Sequence, residues 1–158
     1  MTRHLLAAAC AAVLAAACGT GNDQPETMPV ATTAADGRPF AVEQVTRFDE
    51  PWAMTFLPDG RLLVTEKPGT LRLYDPERGT TGEISGVPAV VHGGQGGLGD
   101  VVLHPEFDAS HMVYISYAEA GDDDTAGAAV ARARLVLDGS GGGSLQDLEV
   151  IWRQVPKV

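Results

Sequence analysis

A pattern of a strand, a proline turn and a second strand occurs twice in this chain, and it constrains the fold more than any other feature. The copies run over residues 56–66 and 103–117, and their prolines, Pro58 and Pro105, are 47 residues apart. A repeat of about 40–50 residues made of four short strands is typical of a β-propeller blade. The sequence therefore predicts an all-β fold that contains about two blades.

Strand-like segments alternate with turn signals through the rest of the chain. In residues 131–135 the alternation is explicit, because Arg132 and Arg134 share one face of a predicted strand. A propeller needs at least four blades, since each blade buries its faces only against neighbours. We therefore expect a longer ring, and we predict strands at about residues 40–45, 52–57, 61–66, 70–74, 98–103, 112–117, 129–137 and 148–152.

The N-terminus has the features of an export signal. Arg3 and His4 precede an apolar run over residues 5–17, which is too short to span a bilayer and suits a signal peptide. Residues 15–19 resemble a bacterial lipobox, in which Cys18 would become the lipidated first residue of the mature protein. The same residues also satisfy the A-x-A pattern of ordinary signal cleavage, so lipidation and plain secretion both stay open.

Three regions follow from this interpretation. Residues 1–17 are a predicted signal peptide of the lipoprotein type, residues 18–38 a flexible linker, and residues 39–158 the propeller-like domain. We expect an exported protein, either a lipoprotein of the cell envelope or a periplasmic or secreted one.

The charge of the chain excludes some partners. A net charge of −10 argues against nucleic acid and against anionic membrane surfaces. A lipid on Cys18 is then the predicted attachment to a membrane. The two cysteines, Cys10 and Cys18, lie in or beside the signal. We therefore expect neither a disulfide nor thiol chemistry in the folded domain.

A glycine-rich stretch over residues 92–99 has five glycines and one amide side chain, Gln95. It contains a literal G-x-G-x-x-G, but the dinucleotide fingerprint needs a strand before it and a helix after it. Here the following residues, 100–105, predict a strand that ends in a proline turn. We interpret the stretch as a loop that leads into a β-strand and brings Gln95 close to a ligand.

The neighbours of Gln95 have supporting roles in this interpretation. Gly94, Gly96 and Gly97 supply backbone freedom. Asp100 either orients the loop by accepting backbone N–H bonds or is a solvated residue of the strand.

The histidines and acidic residues suggest no metal centre. His92 adjoins the glycine loop and is a candidate general base, but the sequence identifies no carboxylate near it. The histidine spacings do not match those of zinc sites. Asp122–Asp124 lacks the alternating ligands and distal glutamate of an EF-hand. We therefore predict neither a metal site nor a catalytic residue in this part of the protein.

Four blocks occur in order along the chain, at residues 51–60, 63–69, 94–107 and 113–117. Together they resemble the soluble glucose/sorbosone dehydrogenase family, and within it the periplasmic aldose sugar dehydrogenases that depend on pyrroloquinoline quinone (PQQ). The resemblance covers about residues 40–158. It implies a six-bladed propeller with PQQ and calcium at the top of the central channel, and Gln95 as a hydrogen-bonding contact to the quinone or the sugar.

The resemblance also implies the reaction. Hydride would pass from C1 of an aldose to the quinone while a histidine acts as the base, and an external acceptor would remove the electrons. The family's histidine lies in a His-x-x-Gly-Arg segment shortly after a Pro-Lys stretch. Because this chain stops at Pro156–Val158, we expect that histidine, the later basic quinone contacts and the calcium ligands to lie beyond it. We also expect residues 1–158 alone to be inactive.

Two alternatives to the enzyme stay open at this point. The chain could be a propeller lipoprotein of the cell envelope that binds without catalysis, since a propeller fold does not imply an activity. It could also be the inactive product of a truncated gene.

Overall fold

Eight strands and one short helix form the unit from Val45 to Val158. The computed structural model describes residues 40–158. The elements are β1 (Pro51–Phe56), β2 (Leu62–Glu66), β3 (Thr70–Asp75), β4 (Thr80–Ser85), β5 (Leu98–Leu103), α1 (Phe107–Ser110), β6 (Met112–Ala120), β7 (Ala126–Leu137) and β8 (Gly143–Arg153). The predicted signal peptide, the linker and Cys18 lie outside the described residues.

The strands form two antiparallel meanders of four. β1 to β4 follow one another in the first meander, and β5 to β8 do so in the second. A short parallel pairing joins β4 to β8, with Ile84 opposite Gly143 and Ser85 opposite Ser144. β1 and β5 begin 47 residues apart, which matches the period of the sequence repeat. The all-β prediction is confirmed, and the fold is that of a partial propeller with two blade-like units.

Turn residues separate the strands of the first meander. Gly60 has a φ of 88°, and its N–H donates to the carbonyl oxygen of Leu57 at 3.0 Å. Asp59 stabilises the same turn, because its carboxylate accepts the backbone N–H of Arg61 at 3.1 Å. These contacts are those that the Pro-Asp-Gly sequence predicts for a tight turn between two strands.

The core lies between the facing sides of the two meanders. On β7 the residues Ala129, Ala131 and Ala133 are fully buried, while Arg132 and Arg134, at alternating positions, are exposed. The predicted arginine face of this strand is therefore confirmed. Apolar side chains of both meanders join these alanines in a single cluster, among them Leu63, Leu71, Leu73, Ile84, Leu98, Val101, Val113 and Ile115.

The opposite edges of the two meanders differ in how they meet. β1, the first strand of one meander, lies against β5, the first strand of the other, whereas the last strands pair through their backbones.

The sides that face away from the core carry exposed apolar residues, such as Met54 and Phe56 on β1 and Ile151 on β8. In a propeller such sides contact further blades.

Two features of the strand prediction were wrong. Residues 40–45 form no strand, and Phe40, Val42 and Val45 are exposed, so their apolar alternation is not matched by burial. The second error is the omission of β4. That strand buries only one apolar side chain, Ile84, and is held largely by backbone pairing with β3. A strand with only one buried residue gives almost no alternation in the sequence.

The burial pattern predicts unequal effects for two valines of the second meander. Replacing fully buried Val113 by alanine should lower the free energy of unfolding by about 1–3 kcal/mol, because the lost methyl groups leave a cavity. Val102, which is 47% exposed, is the matched control, and Val102→Ala should cost less than about 0.5 kcal/mol. Chemical denaturation measures both, and equal losses would contradict a core between the meanders.

Candidate functional site

The glycine-rich stretch forms a tight turn directly before β5. The N–H of Gly96 donates to the carbonyl oxygen of Gly93 at 2.7 Å, which closes a turn of four residues. Gly94 adopts a φ of 55°, and Gln95 is the exposed third residue of the turn. We name residues 93–96 the glycine turn. Its geometry presents the Gln95 amide to solvent directly before β5.

Glycine is required where the chain leaves this turn. Gly97 has a φ of 133°, a conformation that side-chain-bearing residues rarely adopt. A Cβ on Gly97 would overlap the carbonyl oxygen of Lys67, and a Cβ on Gly96 would lie 2.8 Å from the carbonyl oxygen of Val91. The backbone here passes too close to its neighbours for any larger residue. Gly94 differs, because a Cβ on it would meet no atom within 4 Å.

Backbone hydrogen bonds fix the residues that flank the glycine turn to both meanders. The N–H of Val91 donates to the carbonyl oxygen of Ala118 at 2.8 Å, and the N–H of Ala118 donates to that of Gly97 at 2.9 Å. On the other side, the N–H of Leu98 donates to the carbonyl oxygen of Lys67 at 3.0 Å. The turn therefore lies between the β2–β3 connection and the end of β6.

Asp100 interacts with the strands and not with the glycine turn. Its carboxylate accepts the N–H of Val101 at 2.9 Å, and its own N–H donates to the hydroxyl oxygen of Ser116 at 2.8 Å. The side chain is exposed. These contacts place Asp100 at the start of β5, as a solvated strand residue that stabilises the local pairing with β6.

His92 has an acidic neighbour that the sequence analysis missed. Oε2 of Glu50 lies 3.2 Å from Nε2 of His92, and the nearby Nζ of Lys67 lies 3.9 Å from the same oxygen. Glu50 is 42 residues earlier in the chain and adopts a φ of 43°. Neither a contact over 42 residues nor the left-handed backbone conformation of a glutamate leaves a signal in the sequence. The structure thus supplies the carboxylate beside His92 that the sequence did not identify.

Lys67 joins this acidic neighbour to the glycine turn. Its ammonium donates a hydrogen bond to the carbonyl oxygen of Gly94 at 2.6 Å and lies 5.6 Å from the ring centre of Trp52. The Lys67 side chain is 15% exposed. The indole ring and the turn therefore shield its charge from solvent. Electrostatic contacts are stronger in such a partly buried environment than on an open surface.

A buried glutamate holds the segment that carries Glu50. Glu66, at the end of β2, accepts the backbone N–H of Asp49 at 2.8 Å and the Nε–H of Arg72 at 2.8 Å. Only 5% of its side chain is exposed. A charge at this depth needs such partners, and the bond to Asp49 fixes the chain directly before β1.

A second charged cluster lies beside the strand end that anchors the turn. Glu119, next to Ala118, accepts hydrogen bonds from Nε of Arg153 at 2.8 Å and from Nζ of Lys157 at 2.7 Å. The hydrogen bond from Arg153, followed by that from Lys157, lowers the pKa of Glu119 to about 2. Lys157 also donates to the carbonyl oxygen of Ala120 at 2.6 Å. This cluster ties the residues after β8 to the end of β6.

The other two histidines within residues 40–158 lie at the far ends of the strands. His104 follows β5, accepts the N–H of Glu106 at 3.0 Å on Nδ1 and stacks on Tyr114 with ring centres 6.0 Å apart. His111 ends α1 with a φ of 52°. Because the glycine turn precedes β5, these two histidines and Gln95 are at opposite ends of the sheet.

Over residues 40–158 there is no group of three histidine, cysteine or acidic side chains that could hold a metal ion. Asp123 and Asp124 adopt positive φ values in the connection between β6 and β7. Residues 40–158 include no helix that is long and apolar enough to cross a membrane.

Comparison with known proteins identifies the family. Residues 48–158 match the family model described as Glucose / Sorbosone dehydrogenase. The chain belongs to this family. The glucose/sorbosone dehydrogenase match contains every element that surrounds the glycine turn, from the segment before β1 to the residues after β8.

The relatives of this chain include a protein named as an aldose sugar dehydrogenase. The Escherichia coli protein "Aldose sugar dehydrogenase YliI" is 44% identical over 113 residues, which are 71% of this chain and 30% of that protein. The apo form of the soluble aldose sugar dehydrogenase from Escherichia coli is similar in structure, with a TM-score of 0.64, 44% identity, and coverage of 69% of this chain and 31% of that one.

A PQQ-bound structure is also among the similar proteins. The aldose sugar dehydrogenase from Streptomyces coelicolor in its PQQ-bound form is 29% identical, with a TM-score of 0.59, over 70% of this chain and 32% of that one. This family member therefore spans about a third of the length of the relatives that it matches.

The close passage of Gly97 leads to a stability prediction. Gly97→Ala should lower the free energy of unfolding by about 2–4 kcal/mol, because its Cβ would overlap the Lys67 carbonyl oxygen and its φ is unfavourable. Gly60→Ala is the control, since Gly60 also has a positive φ but no atom within 4 Å of the added Cβ, and should cost about 1 kcal/mol. Chemical denaturation compares them, and equal losses would show that Lys67 does not confine the turn.

The Glu119 cluster should make the free energy of unfolding depend on pH in the acidic range. The folded-state pKa of about 2 lies below the ordinary value of 4.5, so the stabilisation is complete above that ordinary value and is lost as the pH falls towards 2. Glu119→Gln should therefore be less stable than the parent near neutral pH, and the difference should shrink below about pH 4. Chemical denaturation of both proteins between neutral pH and about pH 2 measures this difference in stability.

An exposed glutamate outside the cluster, Glu77, is the control for that titration. Glu77→Gln should stay close to the parent at every pH. A Glu119→Gln difference that stays constant down to pH 2 would contradict the proton linkage.

Proposed function

We propose that the protein carrying this chain oxidises aldose sugars with PQQ, by hydride transfer from C1 of the sugar to the quinone. The observation that carries this proposal is the exposed Gln95 amide on a glycine turn held between the two meanders. Support comes from membership of the glucose/sorbosone dehydrogenase family and from relatives named as aldose sugar dehydrogenases, one of them PQQ-bound.

The residues at the turn suit a ligand of this kind. PQQ is rich in carbonyl and carboxylate oxygens, which accept hydrogen bonds, and the Gln95 amide offers two N–H donors as well as an acceptor oxygen. Open space beside Gly94 leaves the backbone of the turn accessible. We assign Gln95 as the contact of this chain to the quinone or the sugar, with Gly94, Gly96 and Gly97 as the backbone that supports it.

The chain contributes binding and orientation to the proposed reaction. When bound, PQQ supplies the acceptor for the two electrons of the sugar. Gln95 hydrogen-bonds one reactant and keeps it at a fixed distance from the other, which lowers the entropic part of the barrier. The external acceptor that reoxidises the quinone, and the calcium that the family resemblance implies, are part of the proposal, and no role of a described residue depends on either.

We assign the general base to a histidine outside the described set. His104 and His111 are at the opposite end of the sheet from Gln95. His92 has Glu50 3.2 Å from its ring, but the family resemblance places the base in another segment. The proposal therefore keeps the family's His-x-x-Gly-Arg segment as the source of the base. It also keeps export, with Cys18 as the lipid attachment or residues 15–17 as an ordinary cleavage site.

Gln95→Ala tests the assignment of the ligand contact. The variant should bind PQQ about tenfold more weakly, because one hydrogen bond to a polar ligand is lost. The matched control is Gln146→Ala, whose glutamine is exposed on β8 opposite Arg134, at the far end of the strands. It should bind like the parent in a titration followed by quinone absorbance.

Activity of the same proteins separates an enzyme from a binding module. Reconstitution with PQQ, followed by dye-coupled oxidation of glucose, should show turnover that falls in Gln95→Ala. Tight quinone binding without any turnover in the complete protein would favour the non-enzymatic lipoprotein. Equal quinone affinities for Gln95→Ala and Gln146→Ala would overturn the role of Gln95.

A further inference from the structure

Lys67 is placed to control the glycine turn although it is not part of it. It follows β2 directly and lies 27 residues before Gly94 in the sequence. Both its backbone and its side chain contact the segment that carries Gln95. We infer that Lys67 is a positioning residue for Gln95, and that it clamps both the centre and the exit of the glycine turn.

The backbone of Lys67 holds the exit of the turn. Its carbonyl oxygen accepts the N–H of Leu98, the first residue of β5, at 3.0 Å. Gly97 passes so close to this oxygen that only glycine fits there. The exit of the turn is therefore held by one hydrogen bond and by close steric contact.

The side chain of Lys67 holds the centre of the turn. Nζ donates to the carbonyl oxygen of Gly94 at 2.6 Å, directly before Gln95. A hydrogen bond from an ammonium is stronger than one between neutral groups. Because a Cβ on Gly94 would meet no atom within 4 Å, steric packing does not confine this residue, and the bond from Lys67 supplies the restraint.

Lys67 is itself held in place by three contacts. Its N–H donates to the carbonyl oxygen of Glu50 at 3.1 Å, its ammonium lies 3.9 Å from Oε2 of Glu50, and the same ammonium lies 5.6 Å from the ring centre of Trp52. The ring and the carboxylate restrict the rotamers of a long side chain that would otherwise be mobile. Preorganisation of this kind is what a residue needs in order to position another.

The expected effect of Lys67 on quinone binding rests on the proposed function, whereas its effect on the mobility of the glycine turn does not. A displacement of the turn by about 1 Å misplaces the Gln95 amide enough to weaken the binding of a ligand or to misorient it. Loss of the Lys67 side chain should therefore loosen the turn and weaken quinone binding without unfolding the strands.

Amide hydrogen exchange of the Lys67→Met variant tests the clamp. Methionine keeps the length and the apolar stem but removes the charge and the donor. The amides of Gly96 and Leu98 should exchange about tenfold faster than in the parent, while those of β6 and β7 stay unchanged. Lys67→Arg, which keeps a cation and donors, should restore exchange to within about threefold of the parent.

The chain offers a matched control in its other lysine. Lys157 also forms an ion pair and donates to a backbone carbonyl, but its partners are Glu119 and Ala120. Lys157→Met should leave exchange at Gly96 and Leu98 at the parental rate. Faster exchange there in both variants would overturn a specific role for Lys67.

Exchange and PQQ titration together separate the two proposals. Faster exchange in the turn with about tenfold weaker PQQ binding in Lys67→Met supports both. Faster exchange in Lys67→Met, with PQQ binding unchanged in both Lys67→Met and Gln95→Ala, keeps the clamp and overturns the quinone contact that the proposed function assigns to Gln95. Unchanged exchange in Lys67→Met overturns the clamp whatever the binding result, and so does an equal rise of exchange over all strands.

Discussion

Packing of the two meanders against each other is the interaction on which the rest of the structure depends. Leu71 of one meander and Ile115 and Ala131 of the other are fully buried in the shared core. This packing fixes the ends of β2, β5 and β6, and so it brings the β2–β3 connection against the glycine turn. The exposed Gln95 therefore owes its position to apolar burial elsewhere and to the polar contacts of Lys67 at the edge of that core.

Sequence patterns predicted the fold where burial and turn chemistry leave a periodic trace. The 47-residue repeat, the Pro-Asp-Gly turn and the alternation in β7 all have direct counterparts in the structure. β4 was missed because a strand with one buried side chain is held by backbone hydrogen bonds, which any residue can form. The segment 40–45 was wrongly predicted as a strand because alternation alone does not establish that a paired partner exists.

The candidate site was predictable in its local part only. A run of five glycines around Gln95 indicated a turn, and the positive φ values of Gly94 and Gly97 give that run its physical reason. The neighbours from other parts of the chain were not predictable, because Glu50 and Lys67 reach the turn through tertiary packing over 42 and 27 residues. No spacing rule encodes such contacts.

We propose that the glycine turn between the two meanders is the quinone-binding element of the protein that carries this chain. Amide chemical-shift mapping of the isotope-labelled protein during a titration with PQQ tests it most directly. We expect the largest shifts at residues 93–98 and at Lys67. Shifts confined to the other end of the strands, around His104 and His111, would contradict it.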